Sequence, residues 1–148
     1  MLHTDFLLTT QTRIQTWSTF DDVIHEFEHL QHWVGGNIFT PDQIIRLGVL
    51  TLDTPVTVLS EIALPFATPA RLYTIEPHLS DAILQCMTED LLNIAVRWSS
   101  TLEWSNVNSF DIGGFLLDFR GLCVEATRKA QSVYLLIAPD EEWAPNTT

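Results

Sequence analysis

Residues 132–138, reading SVYLLIA, narrow the possible folds of this chain more than any other stretch. The run is nearly all apolar and of strand length, a pattern that belongs inside a sheet. The longest helix is expected over 80–99, started by Ser80-Asp81. Ile83, Leu84, Met87, Leu91, Ile94 and Trp98 line its main face, with Leu92 and Val96 nearly opposite. Apolar residues on two sides imply burial on two sides, which makes this the central helix.

Other segments fill in around these two. Ser109 or Asp111 starts a helix to about Lys129, in which Phe115, Leu116, Phe119, Leu122 and Cys123 fall on one face. Gly121 inside it weakens the helix and is expected to permit a close contact. Residues 4–17 are threonine-rich, and Phe6, Leu8 and Ile14 share an alternation, predicting one or two strands. Thr40-Pro41-Asp42 reads as a helix start, with Thr40 as cap. Asp53-Thr54-Pro55 is a second such start, though its β-branched continuation also permits a strand. Residues 71–75 read as a short strand. The expected fold is α+β: a helix-rich single domain over 1–138, with a small β-sheet packed against a central buried helix at about 80–99. A flexible acidic C-terminal tail is expected over 139–148.

The one string suggestive of chemistry lies in residues 20–34, FDDVIHEFEHLQHWV, which hold three of the five histidines. On a helix, Phe20, Val23, Ile24, Phe27, Leu30 and Val34 fall in one arc roughly 120° wide. Asp21 and Asp22 then sit in the first turn, facing the positive end of the dipole, and Gly35-Gly36 end the helix. His25, His29 and His32, at i, i+4 and i+7, share the opposite face, flanked by Asp21 and Glu28.

His25-Glu26-Phe27-Glu28-His29 resembles the His-Glu-x-x-His string of the zincin metallopeptidases. Over these five residues the resemblance implies a Zn2+ ion held by His25 and His29, with Glu26 as general base toward metal-bound water. His32 is the candidate third imidazole for a metal on this face. The string departs from the pattern in its charged Glu28. His32 and Gly35 stand where the metzincin extension has its glycine and third histidine. No downstream string identifies a third ligand; in principle Glu61 or Glu76 could serve. The competing reading is a solvated polar face, on which histidine is an ordinary residue. A further alternative is a pH-sensitive patch, since carboxylates favour protonated imidazole.

Charge sets the other limits. One lysine and six arginines stand against nineteen acids, a formal charge of −12. Nucleic-acid binding needs clusters of basic residues, and anionic membrane surfaces demand the same, so neither is expected. No apolar run reaches the roughly 18–20 residues of a membrane span. The first ten residues lack the basic lead-in and apolar core of a signal peptide. Cys86 and Cys123 are expected as buried free thiols in a reducing cytoplasm, with a disulfide between them as the alternative. Gly113-Gly114 fits no phosphate-loop pattern, and Asp111 and Asp118 would repel an anion. No Ser/Cys–His–acid set is evident.

These residues favour a cytoplasmic, non-enzymatic protein that binds a basic protein partner, in an inhibitor, immunity-type or adaptor role. Asp21, Asp22 and Glu28 are the candidate contact acids. The alternative is a zinc-dependent hydrolase built on His25, Glu26 and His29.

Overall fold

The run expected inside a sheet occupies its centre. The computed structural model describes residues 2–27, 30, 32–36, 40–54, 57–101 and 109–143 (backbone only at 2, 33–36, 109, 110 and 143). Among them five strands, β1 (Leu2–Thr9), β2 (His32–Gly36), β3 (Leu59–Ile62), β4 (Arg71–Ile75) and β5 (Ser132–Pro139), form one antiparallel sheet in the order β2-β1-β5-β4-β3. The helices are α1 (Gln11–Ile14), α2 (Phe20–Glu26), α3 (Pro41–Leu52), α4 (Pro77–Gln85), α5 (Thr88–Ser99), α6 (Ser109–Lys129) and α7 (Asp140–Trp143). The chain is thus a helix-rich α+β domain.

Alternation along β1 and β5 divides the interior in two. Phe6 and Leu8 face one side with Val133, Leu135 and Ile137, against Ile44, Leu47, Leu79, Leu91, Trp98, Phe115 and Phe119 of α3 to α6. Leu7 faces the other side with Tyr134, Leu136 and Ala138, against Ile14, Trp17, Phe20 and Val23 of the α1–α2 region. Both faces of β5 are therefore covered, which is why its sequence carries no polar alternation.

Several local signals act as expected. Thr40 and Gln43 form a reciprocal capping box: Thr40 N–H donates to Gln43 Oε1 (2.7 Å), and Gln43 N–H donates to Thr40 Oγ1 (3.3 Å). The same Gln43 offers its carbonyl to the buried Trp98 indole N–H at 2.9 Å, tying α3 to α5. Cys86 and Cys123 are free thiols.

Other expectations change. Residues 80–99 make two helices, not one. Cys86 and Met87 are both extended (ψ 137° and 157°), so the chain turns between α4 and α5. Arg120 of α6 stitches this break, donating to the Cys86 carbonyl and the Thr88 hydroxyl, each at 3.0 Å. Leu92 and Val96 are 43% and 55% exposed, so α5 is buried on one side only. The close approach expected at Gly121 occurs instead at Gly113, where an added Cβ would lie 3.0 Å from Leu92; at Gly121 it would meet nothing within 4 Å. Ile14 leaves the β1 alternation and packs from α1 onto the opposite face. Of the two readings after Asp53, Leu59–Ile62 take the strand, as β3. The expected tail begins with the short helix α7, and residues 144–148 lie outside the described residues.

The largest correction concerns residues 20–34. The helix stops at Glu26 with Phe27 as its C-cap, and the chain re-enters the sheet at His32. Gly35 and Gly36 are strand residues rather than a helix stop.

Candidate functional site

The shortened α2 redistributes the histidines. His25, in its last turn, is exposed. Glu26 is engaged by Arg13, which donates through Nε at 2.7 Å and through Nη2. His29 and Glu28 lie outside the described residues. His32 belongs to β2, so it does not share a helical face with His25, and α2 ends at Glu26. Glu61 pairs with Arg71 at 3.5 Å, and Glu76 accepts from the Ser60 hydroxyl, both at the β3 side, the sheet edge opposite β2. Among the described residues no three His, Cys, Asp or Glu side chains form a group able to hold a metal ion.

Of the candidate contact acids, Asp21 is exposed. Asp22 works inside the fold: its Oδ2 accepts the backbone N–H groups of Ser18 (2.7 Å) and Thr19 (3.1 Å), fixing the entry into α2.

What the fold does assemble is a pair that the residue pattern alone did not single out. Asp5, in β1, is 1% exposed, and its Oδ2 lies 2.9 Å from Nδ1 of His32, 27 residues away. His32 sits opposite Leu7 across the β1–β2 ladder, whose register shifts between Thr4 and Asp5. The Phe27 ring stacks on the imidazole, with centroids 4.9 Å apart and planes at 24°. The C-cap residue of α2 thus covers the ring that starts β2. Burial pushes the His32 imidazole below its ordinary value. A neutral ring that donates Nδ1–H to Asp5 keeps Nε2 as its acceptor nitrogen, since a carboxylate can only accept. The sequence signal was parity: Asp5 shares the strand face of Leu7, an acid at an inward position.

His32 also borders an open groove of about 600 Å³, lined from α6 by Leu117, Asp118, Gly121, Val124 and Glu125 among others. Glu125 accepts from Arg128 and also lies 4.0 Å from the Lys129 ammonium; Arg128 chiefly holds its carboxyl below the usual range. The described lining residues include no hydroxyl, thiol or amine; their polar side chains are the His32 imidazole and the Asp118 and Glu125 carboxylates. An oriented imidazole beside a groove is competent for proton transfer or for hydrogen bonding to a ligand.

No protein-family model, curated protein or solved structure matches this chain. Its functional reading therefore rests on its own residues.

Two further cavities are less open or more apolar. One of about 120 Å³, between α4, the end of α6 and the start of β5, reaches the Cys123 thiol. Burial pushes that thiol up to about 12, which removes it as a nucleophile near neutrality. The other, beside Leu52, Thr54 and Thr57, contains His78, whose Nε2 lies 2.6 Å from the Thr57 carbonyl. No described helix is long and apolar enough to cross a membrane.

Proposed function

We propose that this chain acts by binding a protein partner through complementary charge, as an inhibitor, immunity-type protein or adaptor in the cytoplasm. The observation that carries this reading is the distribution of an uneven charge. Asp21, Asp42, Asp81, Glu89, Asp90, Asp111, Asp118 and Asp140 are all exposed. Of only seven basic side chains, Arg13, Arg71, Arg128 and Lys129 are already committed to carboxylates of the chain itself. The field outside the molecule is therefore negative, which speeds encounter with a basic surface and repels phosphate backbones and anionic lipids.

The test is capture at low ionic strength followed by reconstitution with the purified partner. A basic protein is expected to bind stoichiometrically at ~20 mM salt. Its association rate should fall by at least about tenfold as screening shortens the Debye length toward 8 Å near 0.15 M. A purified partner whose association is indifferent to salt, or whose contact surface is acidic, would overturn the proposal.

A further inference from the structure

We infer that the outer edge of β2 and the adjoining groove over Gly121 are the docking site for an extended basic segment of the partner, which adds to the sheet as a sixth strand. This rests on the basic-partner reading and gives it a location.

The two sheet edges differ. β3 is four residues long, carries Glu61, and is followed by Pro65, features that discourage strand addition. β2, reading HWVGG, contains no lysine, acid or proline, and no described strand pairs with its outer edge. Such an edge presents a row of backbone N–H and C=O groups to an incoming strand.

The groove supplies the chemistry that selects the segment. Gly121 lies in the middle of a 21-residue helix, yet no described atom approaches the space its side chain would fill. Glycine at such a position weakens the helix by about 1 kcal/mol relative to alanine, and no described contact within the chain compensates for it. A partner backbone or a long side chain passing over the helix uses that space. Asp118 and Glu125 stand on either side of Gly121, about 10.5 Å apart along the axis at 1.5 Å per residue. Lysine or arginine side chains two residues apart on a strand start about 6.8 Å from each other, and their flexible heads span the difference. Their aliphatic stems cover Leu117 and the half-exposed Val124. Asp118 is the more exposed of the two carboxylates, so its removal reads the charge contribution.

The experiment uses fluorescein-labelled ten-residue peptides, one alternating arginine with valine and one alternating glutamate with valine, titrated with the full chain at low salt. The arginine peptide is expected to bind and the glutamate peptide not to bind. Gly121→Leu fills the groove and should weaken binding by roughly tenfold or more while leaving thermal stability equal or higher. Asp118→Asn should cost about three- to tenfold, whereas Glu89→Gln with Asp90→Asn, on α5, should leave binding unchanged. Methylating alternate backbone amides of the arginine peptide removes strand pairing and should weaken it by about tenfold. If Gly121→Leu and amide methylation leave binding intact, or the α5 control weakens it as much as Asp118→Asn, the docking site is refuted while the basic-partner reading stands. If the unmodified chain does not bind the arginine peptide at all, both fall.

Discussion

Gly48 of α3 presents its bare Cα to Val58, so close that an added Cβ would lie 2.6 Å from a Val58 methyl. Both residues are buried, and Val58 is branched at Cβ, so it has little freedom to move aside. Gly48→Ala is therefore expected to destabilise the protein by about 1–3 kcal/mol, overpacking outweighing the better helix propensity of alanine. The second variant Val58→Ala should recover part of that loss when combined with it. Gly121→Ala should act in the opposite direction, stabilising by about 0.5–1 kcal/mol, because nothing described opposes its side chain. Urea denaturation of the variants measures both signs; a stabilising Gly48→Ala would show that α3 does not sit against Val58 in this way.

The elements legible in the sequence were those whose signal is local. The apolar run of β5, the Thr40 cap before Pro41 and the apolar stripe of α6 each act through near neighbours in sequence. What stayed hidden depends on distant partners. Phe20, Val23 and Ile24 fit a helix, and Phe27, Leu30 and Val34 continue the same arc, so periodicity could not locate the end at Glu26. The helix ends at Glu26 and His32 pairs with Asp5 from β2, and residue spacing within 20–34 carries no trace of that. The break between α4 and α5 had a weak local signal, since Glu89 and Asp90 sit in the first turn of α5. Its other support, Arg120, arrives from 34 residues away. Leu92 and Val96 misled because an apolar side chain on a helix does not have to be covered.

The burial of His32 makes stability depend on pH in a stated direction. Burial lowers the His32 value in the folded state, so between that value and the ordinary 6.5 the unfolded chain binds more protons. Stability is then fully present above about pH 6.5 and declines as pH falls through the folded value. The urea midpoint should drop from pH 7.5 to 5.5, and His32→Gln should flatten that slope. Asp5→Leu in the unaltered His32 background tests the partner: it should destabilise the protein at pH 7.5 through loss of the 2.9 Å contact that anchors β2 to β1. An unchanged pH slope in His32→Gln would assign the dependence to other groups.

Cys123 should be chemically silent until the protein opens. Its thiol is buried on α6, and burial, with Asp81 acting in the same direction, raises it from an ordinary 9.0 to about 12. The thiolate, which is the reactive form, is therefore scarce at pH 8. A coloured disulfide reagent should label the half-buried Cys86 first and Cys123 only at the rate of opening or unfolding. The same shift has an alkaline consequence. Above pH 9 the unfolded chain releases a proton that the folded chain retains, so stability should fall as pH rises from about 9 toward 12. Cys123→Ala, although it leaves a small cavity, should reduce that alkaline decline; rapid labelling of Cys123 in the native protein would contradict its burial.

Arg120 offers a sharper test of the helix break. Its guanidinium reaches from α6 to the carbonyl of Cys86, the first residue of the two-residue break, and to the hydroxyl of Thr88, the first residue of α5. Hydrogen bonds from a charged donor are worth about 1.5–3 kcal/mol, and partial exposure of the side chain places this pair toward the lower figure. Arg120→Met keeps the aliphatic stem but removes both donors, so it should cost about 1–2 kcal/mol in urea denaturation. Arg120→Lys should recover little, because one ammonium lacks the planar fork that serves two acceptors at once. Thr88→Val, which removes one acceptor, should lose less than Arg120→Met, and the double variant should lose no more than about the larger single effect. Additive losses in that double variant would show that Arg120 stabilises α6 by some other route, and that the turn between α4 and α5 holds its shape without it.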